Sequence, residues 1–193
     1  MDPKQLSPMG RKYLPLIERD ANETILYEIR KHPIGLVGIY ALGMFVAGSL
    51  FAGSLALSYV ISNDPAGIGG DFGALSPLVL LFGGVLSILA LVMTAIGAYL
   101  YQSNVVFVTS DKIAQILNKT IFNRKVSQLS IGDVQDVTTT QKGPLAHLFH
   151  YGTLVIETAG EQSNYTFHFT PKPHEASRAI VSAHEENLKL YGN

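Results

Sequence analysis

The sequence contains no cysteine and no tryptophan among its 193 residues. Without cysteine the chain has no disulfide, no thiolate metal site, no iron–sulfur cluster and no thiol nucleophile. Charged residues are also scarce, because only 15% of the residues are Asp, Glu, Lys or Arg. Lys and Arg number 14 against 15 Asp and Glu, and no segment is strongly basic, so the sequence gives no support to nucleic-acid binding.

Charge is missing altogether from two long segments, residues 34–61 and 77–101, which also lack histidine. At about 1.5 Å per residue, helices of these lengths would extend about 42 and 38 Å, whereas the hydrocarbon core of a bilayer is about 30 Å thick. A helix of a soluble domain normally carries charge on its outer face. The first segment is also much longer than the apolar region of a signal peptide. We therefore expect a membrane hairpin of two transmembrane helices at residues 34–61 and 77–101.

Basic residues are distributed unequally around the two predicted spans. Six precede the first span: Lys4, Arg11, Lys12, Arg19, Arg30 and Lys31. The connector, residues 62–76, contains Asp64 and Asp71 and no basic residue. The positive-inside rule then predicts the orientation of what we expect to be a multi-pass protein of the cytoplasmic (plasma) membrane. Both the N-terminal segment, residues 1–33, and the C-terminal segment, residues 102–193, would be cytoplasmic, and the connector would be extracytoplasmic.

Small residues recur along both predicted spans. They are Gly48, Ala52 and Ala56 in the first span, and Gly83, Ser87, Ala90, Thr94 and Ala98 in the second. Such stripes allow helices to approach closely in lipid. We expect them to pack the two spans against each other, with oligomerisation through lipid as the alternative. Neither span contains an ionisable residue that would indicate a transport path.

Beyond residue 104 the sequence changes to short, alternating segments rich in β-branched residues. These predict strands at residues 105–109, 112–119, 125–129, 131–140, 153–158 and 164–170. An interruption between Val134 and Val137 predicts a bulge. In the last strand the alternation places Tyr165, Phe167 and Phe169 on one face.

The remaining segments predict helices or loops. Residues 145–150 suggest a short helical turn or loop, and a helix is expected from Pro173 to about Leu190. Its apolar stripe would be Ala176, Ala179, Ile180 and Ala183. The predicted fold class is thus a membrane α-helical hairpin followed by a cytoplasmic α+β domain, residues 102–193. That domain would be an antiparallel β-sandwich or partial barrel capped by a C-terminal helix and lying directly at the membrane. In residues 1–33, a helical turn or short strand would lead into the first span.

Four local stretches add a family resemblance. They read NETILYE at residues 22–28 with His32-Pro33 after it, VTSDK at 108–112, LSIGDVQDV at 129–137 and YGTLVIETAG at 151–160. Their order and spacing, from about residue 20 onward, resemble the bacterial pleckstrin-homology-like (PH-like) membrane-flanked domain proteins of the YdbS type. Lys112 stands where that family usually has arginine, and the tryptophan often found near its first span is absent. The resemblance implies a PH-like β-domain without catalytic activity in a bacterial membrane.

Candidate ligand-binding residues are few. Lys119, Arg124 and Lys125 form the strongest local basic group and are candidate contacts for anionic lipid headgroups, with a solvated hairpin tip as the alternative. Residues 102–193 contain eight basic and eight acidic residues, and no loop shows the several convergent basic residues that phosphoinositide binding requires. His147 and His150 are three apart, but no third ligand is identifiable, so we predict no metal and no cofactor.

The expected function is therefore a binding role. We predict a non-catalytic, membrane-anchored protein-interaction or assembly module whose partners are the lipid bilayer and another protein or a second copy of the chain. A small β-sandwich can recruit partners by strand addition, and tethering to one membrane raises their effective concentration. The alternative is a peripheral sensor or binder of anionic lipid headgroups.

Overall fold

The computed structural model describes residues 3–18, 20, 22–63, 71–158 and 165–191. The chain forms two compact units. One is Leu36–Tyr99, which we call the helical hairpin, and the other combines Met1–Gly35 with Leu100–Asn193, which we call the β-domain. Residues 64–70 of the predicted connector lie outside the described residues, as do residues 159–164, the last of which is the first residue of the last predicted strand.

The described residues contain five α-helices and seven β-strands. The helices are α1 (Pro8–Tyr13), α2 (Ile34–Ser62), α3 (Ser76–Gln102), α4 (Pro144–Leu148) and α5 (Pro173–Tyr191). The strands are β1 (Ile25–Arg30), β2 (Val105–Thr109), β3 (Lys112–Asn118), β4 (Arg124–Ser130), β5 (Val134–Thr140), β6 (Tyr151–Thr158) and β7 (Tyr165–Pro171). Each predicted strand of residues 105–170 is confirmed to within a few residues, and so is the C-terminal helix.

The long helices α2 and α3 form the helical hairpin, and their ends lie within one residue of the predicted spans. By length and composition, both could cross a membrane. In the most apolar window of each helix only 6% and 11% of the residues are buried by protein. A helix that is apolar on all sides and uncovered by protein needs another apolar surrounding.

The two helices contact each other through small side chains. Buried on the facing sides are Ala47, Ser54 and Ser58 of α2 and Gly83, Ser87 and Ala98 of α3. A side chain at residue 83 would overlap Ser54, so glycine permits the close approach. The hydroxyl of Ser54 donates to the carbonyl of Phe51 at 2.7 Å, and that of Ser87 to the carbonyl of Gly83 at 2.8 Å. These hydroxyls are therefore satisfied within their own helices.

The stripes of small residues predicted to pack the two helices together are confirmed in α3 but not in α2. In α3 the prediction is confirmed: Gly83, Ser87 and Ala98 are buried, Ala90 and Thr94 are half-buried, and Gly83 and Thr94 lie against Ser54 and Gly43 of α2. In α2 it is wrong: Gly48, Ala52 and Ala56 are exposed. Small residues occur on several faces of α2, and the face that packs is chosen by complementarity with α3, which the sequence of one helix does not contain.

The seven strands form two antiparallel sheets. The first has the order β1–β2–β3–β4 and the second the order β5–β6–β7. The apolar face of α5 covers the open end between them, where Ala176, Ile180 and Ala183 are buried. Ala179 of the predicted stripe is only half-buried. The architecture is a two-sheet antiparallel sandwich capped by a C-terminal helix.

The first strand comes from the N-terminal flank. β1 pairs with β2, from Ile25 opposite Thr109 to Arg30 opposite Val105, although the whole helical hairpin lies between them in the chain. The compact β-domain thus differs from the predicted domain of residues 102–193, because residues 1–33 are part of it rather than a separate segment. The alternation in β1 is too short to show which partner it needs, so the sequence indicated only a turn or short strand.

Apolar residues cover both faces of the first sheet. Between the sheets and α5 lies a core that includes Ile29, Val108, Ile113, Leu154 and Ile180. On the opposite face, a second cluster contains Leu6, Tyr13, Ile17, Ile25, Val105, Phe107, Ala114 and Ile116. All five residues of β2 are buried, which explains its unbroken apolar sequence.

Two irregularities occur in the second sheet. The register shifts between Val134 and Asp136, which confirms the bulge predicted in β5. In β7, Phe169 has φ of 57°, and its side chain is 38% exposed while the next residue, Thr170, is buried. The prediction that Phe169 shares a face with Phe167 is therefore wrong, because the left-handed backbone at Phe169 interrupts the alternation.

Candidate binding cleft at the junction end of the β-domain

The β-domain has one end at which the chain leaves for α2 and returns from α3. β1 ends at Arg30, opposite Val105, which is the first residue of β2. Val105 is paired with Ile116 near the end of β3, and Ile116 with Val126 near the start of β4. We call this the junction end of the β-domain.

Four aromatic rings from separate segments pack together at the junction end. His32 stacks on Tyr151 with ring centroids 5.5 Å apart, and Tyr151 stacks on Phe169 at 5.6 Å. Tyr101 meets Phe169 edge-on at 6.1 Å. Such pairs contribute about 0.5–1.5 kcal/mol each beyond the burial of their area. The rings therefore tie the chain on both sides of the hairpin to the second sheet.

Hydrogen bonds hold the same segments in place. The backbone N–H of His32 donates to the carbonyl of Phe169 at 2.6 Å. The hydroxyl of Tyr101 donates to the carbonyl of His32 at 2.8 Å, and the N–H of Ile34 donates to Nδ1 of His32 at 3.1 Å. A side chain at residue 35 would overlap Tyr101, which explains Gly35. The junction end therefore has a defined geometry rather than a loose linker.

Two adjoining clefts open beside the aromatic rings. The first, of about 220 Å³, lies between the first sheet and β7, and its walls include Val105, Ile116 and Phe167. The second, of about 620 Å³, lies along β5, β6 and β7, and its walls include Tyr151 and Phe169. Lys31 and His168 line both clefts, so the two share a polar border.

The charge around the clefts has one sign. Arg30 and Lys31 line the first cleft, Lys31 and Lys142 line the second, and His168 adds an imidazole to each. Among the described residues that line either cleft, none is an aspartate or a glutamate. Three cationic groups without a local counter-charge, beside threonine hydroxyls and aromatic faces, form a suitable environment for an anionic group.

Lys31 is the most distinctive of these groups. Its Nζ lies 4.9 Å from the centroid of the Tyr101 ring, within the range of a cation–π interaction. Burial lowers the pKa of Lys31 below its usual value, because the charged form loses hydration that no carboxylate replaces. An anion bound beside Lys31 would supply the missing counter-charge.

Three carboxylates come together at the opposite end of the first sheet, beside the turn between β2 and β3. Asp20, Glu23 and Asp111 place oxygen atoms within 4.8 Å of one another. The ammonium of Lys112 lies 3.3 Å from Glu23 and 3.8 Å from Asp111, and it donates to the carbonyl of Glu18 at 2.8 Å. Lys112 thus already supplies a cation to this cluster, in which Glu23 is buried, Asp20 is exposed and the side chain of Asp111 is half-exposed.

The predicted lipid-binding residues lie at the tip of the β3–β4 hairpin, outside both clefts. Arg124 is held within the β-domain: its guanidinium lies 4.8 Å from the Tyr13 ring centroid, and its Nε donates to Oδ1 of Asn118 at 2.9 Å. Lys119 and Lys125 are exposed on either side of the tip. The three residues lie together at this tip and all are exposed, but the side chain of Arg124 is also held by Asn118 and Tyr13.

Sequence reasoning missed the cationic residues of the clefts. In the sequence, Arg30 and Lys31 indicate only the orientation of the first span. Lys142 and His168 lie in distant segments and give no separate signal. Nothing in their spacing connects them, because the strand pairing that assembles the clefts is long-range. The one usable signal was the excess of basic residues immediately before the first span.

Comparisons with known proteins agree with this architecture. A family model described as a bacterial PH domain matches residues 36–183, about three quarters of the chain. The match includes both long helices, strands β2 to β7 and more than half of α5. No curated protein and no solved structure matches the chain.

Proposed function

The chain belongs to the bacterial PH domain family, whose members are generally non-catalytic binding modules, and from this premise we propose that it binds anionic lipid headgroups. In this proposal α2 and α3 cross the cytoplasmic membrane, and the clefts at the junction end receive a phosphate-bearing headgroup. The observation that carries the proposal is the lining of the two clefts, where Arg30, Lys31 and Lys142 face no carboxylate among the described lining residues.

The pairing of β1 with β2 supports the crossing of the membrane by both helices. Since Arg30 lies opposite Val105, the two ends of the helical hairpin must be on the same side of any membrane. Two full crossings satisfy this condition and a single crossing does not. The uncovered apolar surfaces of α2 and α3 support the same conclusion, because a bilayer is the apolar surrounding that they lack.

The distribution of basic residues supports a cytoplasmic β-domain. Arg30 and Lys31 lie immediately before α2, where the positive-inside rule counts most, and both belong to the β-domain. A cytoplasmic leaflet is rich in anionic lipid, and a basic residue near its surface contributes about 1 kcal/mol to attraction. Arg30 and Lys31 therefore contribute to the orientation signal and also line the clefts.

Lipid titration of the full-length protein tests the proposal. The protein in phosphatidylcholine nanodiscs is titrated with short-chain phosphatidylglycerol, and the heat of binding is compared with that of short-chain phosphatidylcholine. We expect a clear preference for the anionic lipid. Replacing Lys31 and Lys142 together by glutamine should weaken binding roughly 10-fold or more, since a hydrogen bond to a charged group contributes about 1.5–3 kcal/mol.

A matched control is Lys172→Gln, because Lys172 pairs with Glu175 at 3.0 Å and lines neither cleft. Its affinity should equal that of the unaltered protein, and Lys31→Arg should retain most binding because the charge is kept. Equal binding of both lipids, or an unchanged affinity in the double variant, would overturn the role of the clefts.

A second candidate function, protein interaction or self-assembly, is favoured by β4. This strand hydrogen-bonds only to β3 among the described strands, and none of its residues is buried. An exposed edge of this kind can accept a strand from a partner. Crosslinking from a single cysteine at Gln128 in native membranes should then capture a second copy or another membrane protein. Recovery of the monomer alone would exclude this route.

A further inference from the structure

The β3–β4 hairpin ends in a tip that presents apolar side chains to solvent. Phe122 is 97% exposed and Ile121 is 55% exposed. The tip is closed by backbone hydrogen bonds, since the N–H of Lys119 donates to the carbonyl of Asn123 at 2.9 Å and the N–H of Thr120 to the same carbonyl at 3.2 Å. The turn thus presents the side chains of Ile121 and Phe122 to solvent on a defined backbone.

Basic residues stand on both sides of the apolar tip. Lys119 lies two residues before Ile121 in the turn, and Lys125 lies three residues after Phe122, near the start of β4. Arg124 is exposed as well, but Asn118 and Tyr13 hold its guanidinium, so we assign the basic rim to the two lysines. An apolar apex with a basic rim matches the layering of an anionic membrane, in which the charged headgroups lie above the acyl chains.

The strand register places this tip at the junction end. Asn118 and Arg124 form the last pair of the β3–β4 ladder, beyond Ile116 and Val126. Ile116 is opposite Val105, the residue with which the chain returns from α3. The tip therefore projects from the same end of the first sheet as the two connections to the long helices.

We propose that Ile121 and Phe122 insert into the interfacial region of the membrane that α2 and α3 cross, with Lys119 and Lys125 at its anionic headgroups. This inference rests on the crossing of the membrane by both helices, and it is independent of ligand binding in the clefts. In this proposal the chain contacts lipid through the tip of the β3–β4 hairpin as well as through α2 and α3. Ile121 and Phe122 supply the apolar contact, and the lysines make it dependent on anionic lipid.

Site-specific fluorescence tests this inference in the full-length chain. Because the chain has no native cysteine, a single cysteine at Phe122 can carry an environment-sensitive nitrobenzoxadiazole label. The matched control is a cysteine at Gln128, which is exposed on the same hairpin but distant from its tip. Both proteins are reconstituted in nanodiscs of phosphatidylcholine, with or without phosphatidylglycerol, and quenched with spin-labelled lipid.

The expected result is a blue-shifted emission and strong quenching by shallow spin-labelled lipid at residue 122, with neither at residue 128. Quenching at residue 122 should decrease when phosphatidylglycerol is omitted, when salt is raised, or when Lys119 and Lys125 are replaced by glutamate. A label at residue 122 that stays as water-exposed as that at residue 128, in protein retained by the nanodiscs, would overturn the inference. Failure of the protein to enter nanodiscs would instead overturn the membrane crossing on which the inference rests.

Discussion

His32 is the residue at which the contacts of the junction end converge. Its backbone bonds to Phe169 and Tyr101, its ring stacks on Tyr151, and its Nδ1 accepts a hydrogen bond from the first residue of α2. A ring nitrogen that accepts a hydrogen bond carries no proton, so the imidazole is neutral here. Burial lowers the pKa of His32 below its ordinary value of 6.5, which agrees with this assignment.

This lowered pKa predicts a loss of stability in mild acid. The unfolded chain takes up the proton at about pH 6.5, before the folded chain does, so the contribution of His32 is complete above that pH and decreases below it. His32→Asn keeps an acceptor for the Ile34 N–H but does not titrate. The melting temperature of the protein in detergent should fall more between about pH 7.5 and pH 5 than that of the variant. Parallel curves would contradict the assignment.

At the scale of secondary-structure elements, the short strand β1 contributes buried side chains to both apolar clusters of the β-domain. It lies before the first long helix, yet its Ile25 and Ile29 are buried on opposite sides of the first sheet. Without β1, the apolar strand β2 would become an uncovered edge strand of the first sheet. The N-terminal flank is therefore a structural part of the β-domain.

Replacement of Ile25 by alanine tests this role. The side chain is 1% exposed, so its truncation should lower the free energy of unfolding of the β-domain by about 2–5 kcal/mol. Leu145→Ala in α4 is the control, because that side chain is 56% exposed and should change stability by less than about 0.5 kcal/mol. Chemical unfolding in detergent, followed by circular dichroism, measures both. An equal effect of the two substitutions would show that β1 is dispensable.

The contact between α2 and α3 can be tested with two neighbouring glycines. A Cβ at Gly83 would overlap Ser54, whereas one at Gly84 would meet nothing within 4 Å. Gly83→Ala should therefore destabilise the hairpin by about 1–3 kcal/mol through overpacking. Gly84→Ala should be neutral or slightly stabilising, since alanine favours the helix by about 0.8–1 kcal/mol. Thermal unfolding in detergent compares them, and indistinguishable variants would contradict the described packing.

Local patterns in the sequence predict most of these elements but not their assembly. The charge-free runs predict α2 and α3, and the alternation of apolar residues predicts β2 to β7, because both signals are contained within each segment. The partner of β1, the packing face of α2 and the cationic lining of the clefts depend on residues far apart in the chain. Phe169 departs from its predicted face for a similar reason, since its left-handed backbone serves the contact with His32.

At the scale of the whole molecule, the helical hairpin is an insertion between two adjacent strands of one sheet. The chain builds β1 first, then both long helices, and only afterwards β2 to β7. Because β1 precedes α2 and β2 follows α3, the two strands can pair only when the start of α2 and the end of α3 lie on the same side. In the proposed membrane topology, insertion of the two helices and folding of the β-domain would therefore be coupled, because a helix left on the wrong side would separate β1 from β2.

The most direct test of the central claim, that both helices cross the membrane and leave the β-domain in the cytoplasm, is cysteine labelling in intact cells. Single cysteines replace Asn63, which follows α2, and Gln128 in β4; both positions are exposed and the chain has no other cysteine. With a membrane-impermeant maleimide, residue 63 should be labelled in intact cells and residue 128 only after permeabilisation. Labelling of residue 128 in intact cells, or protection of residue 63 until lysis, would contradict the account.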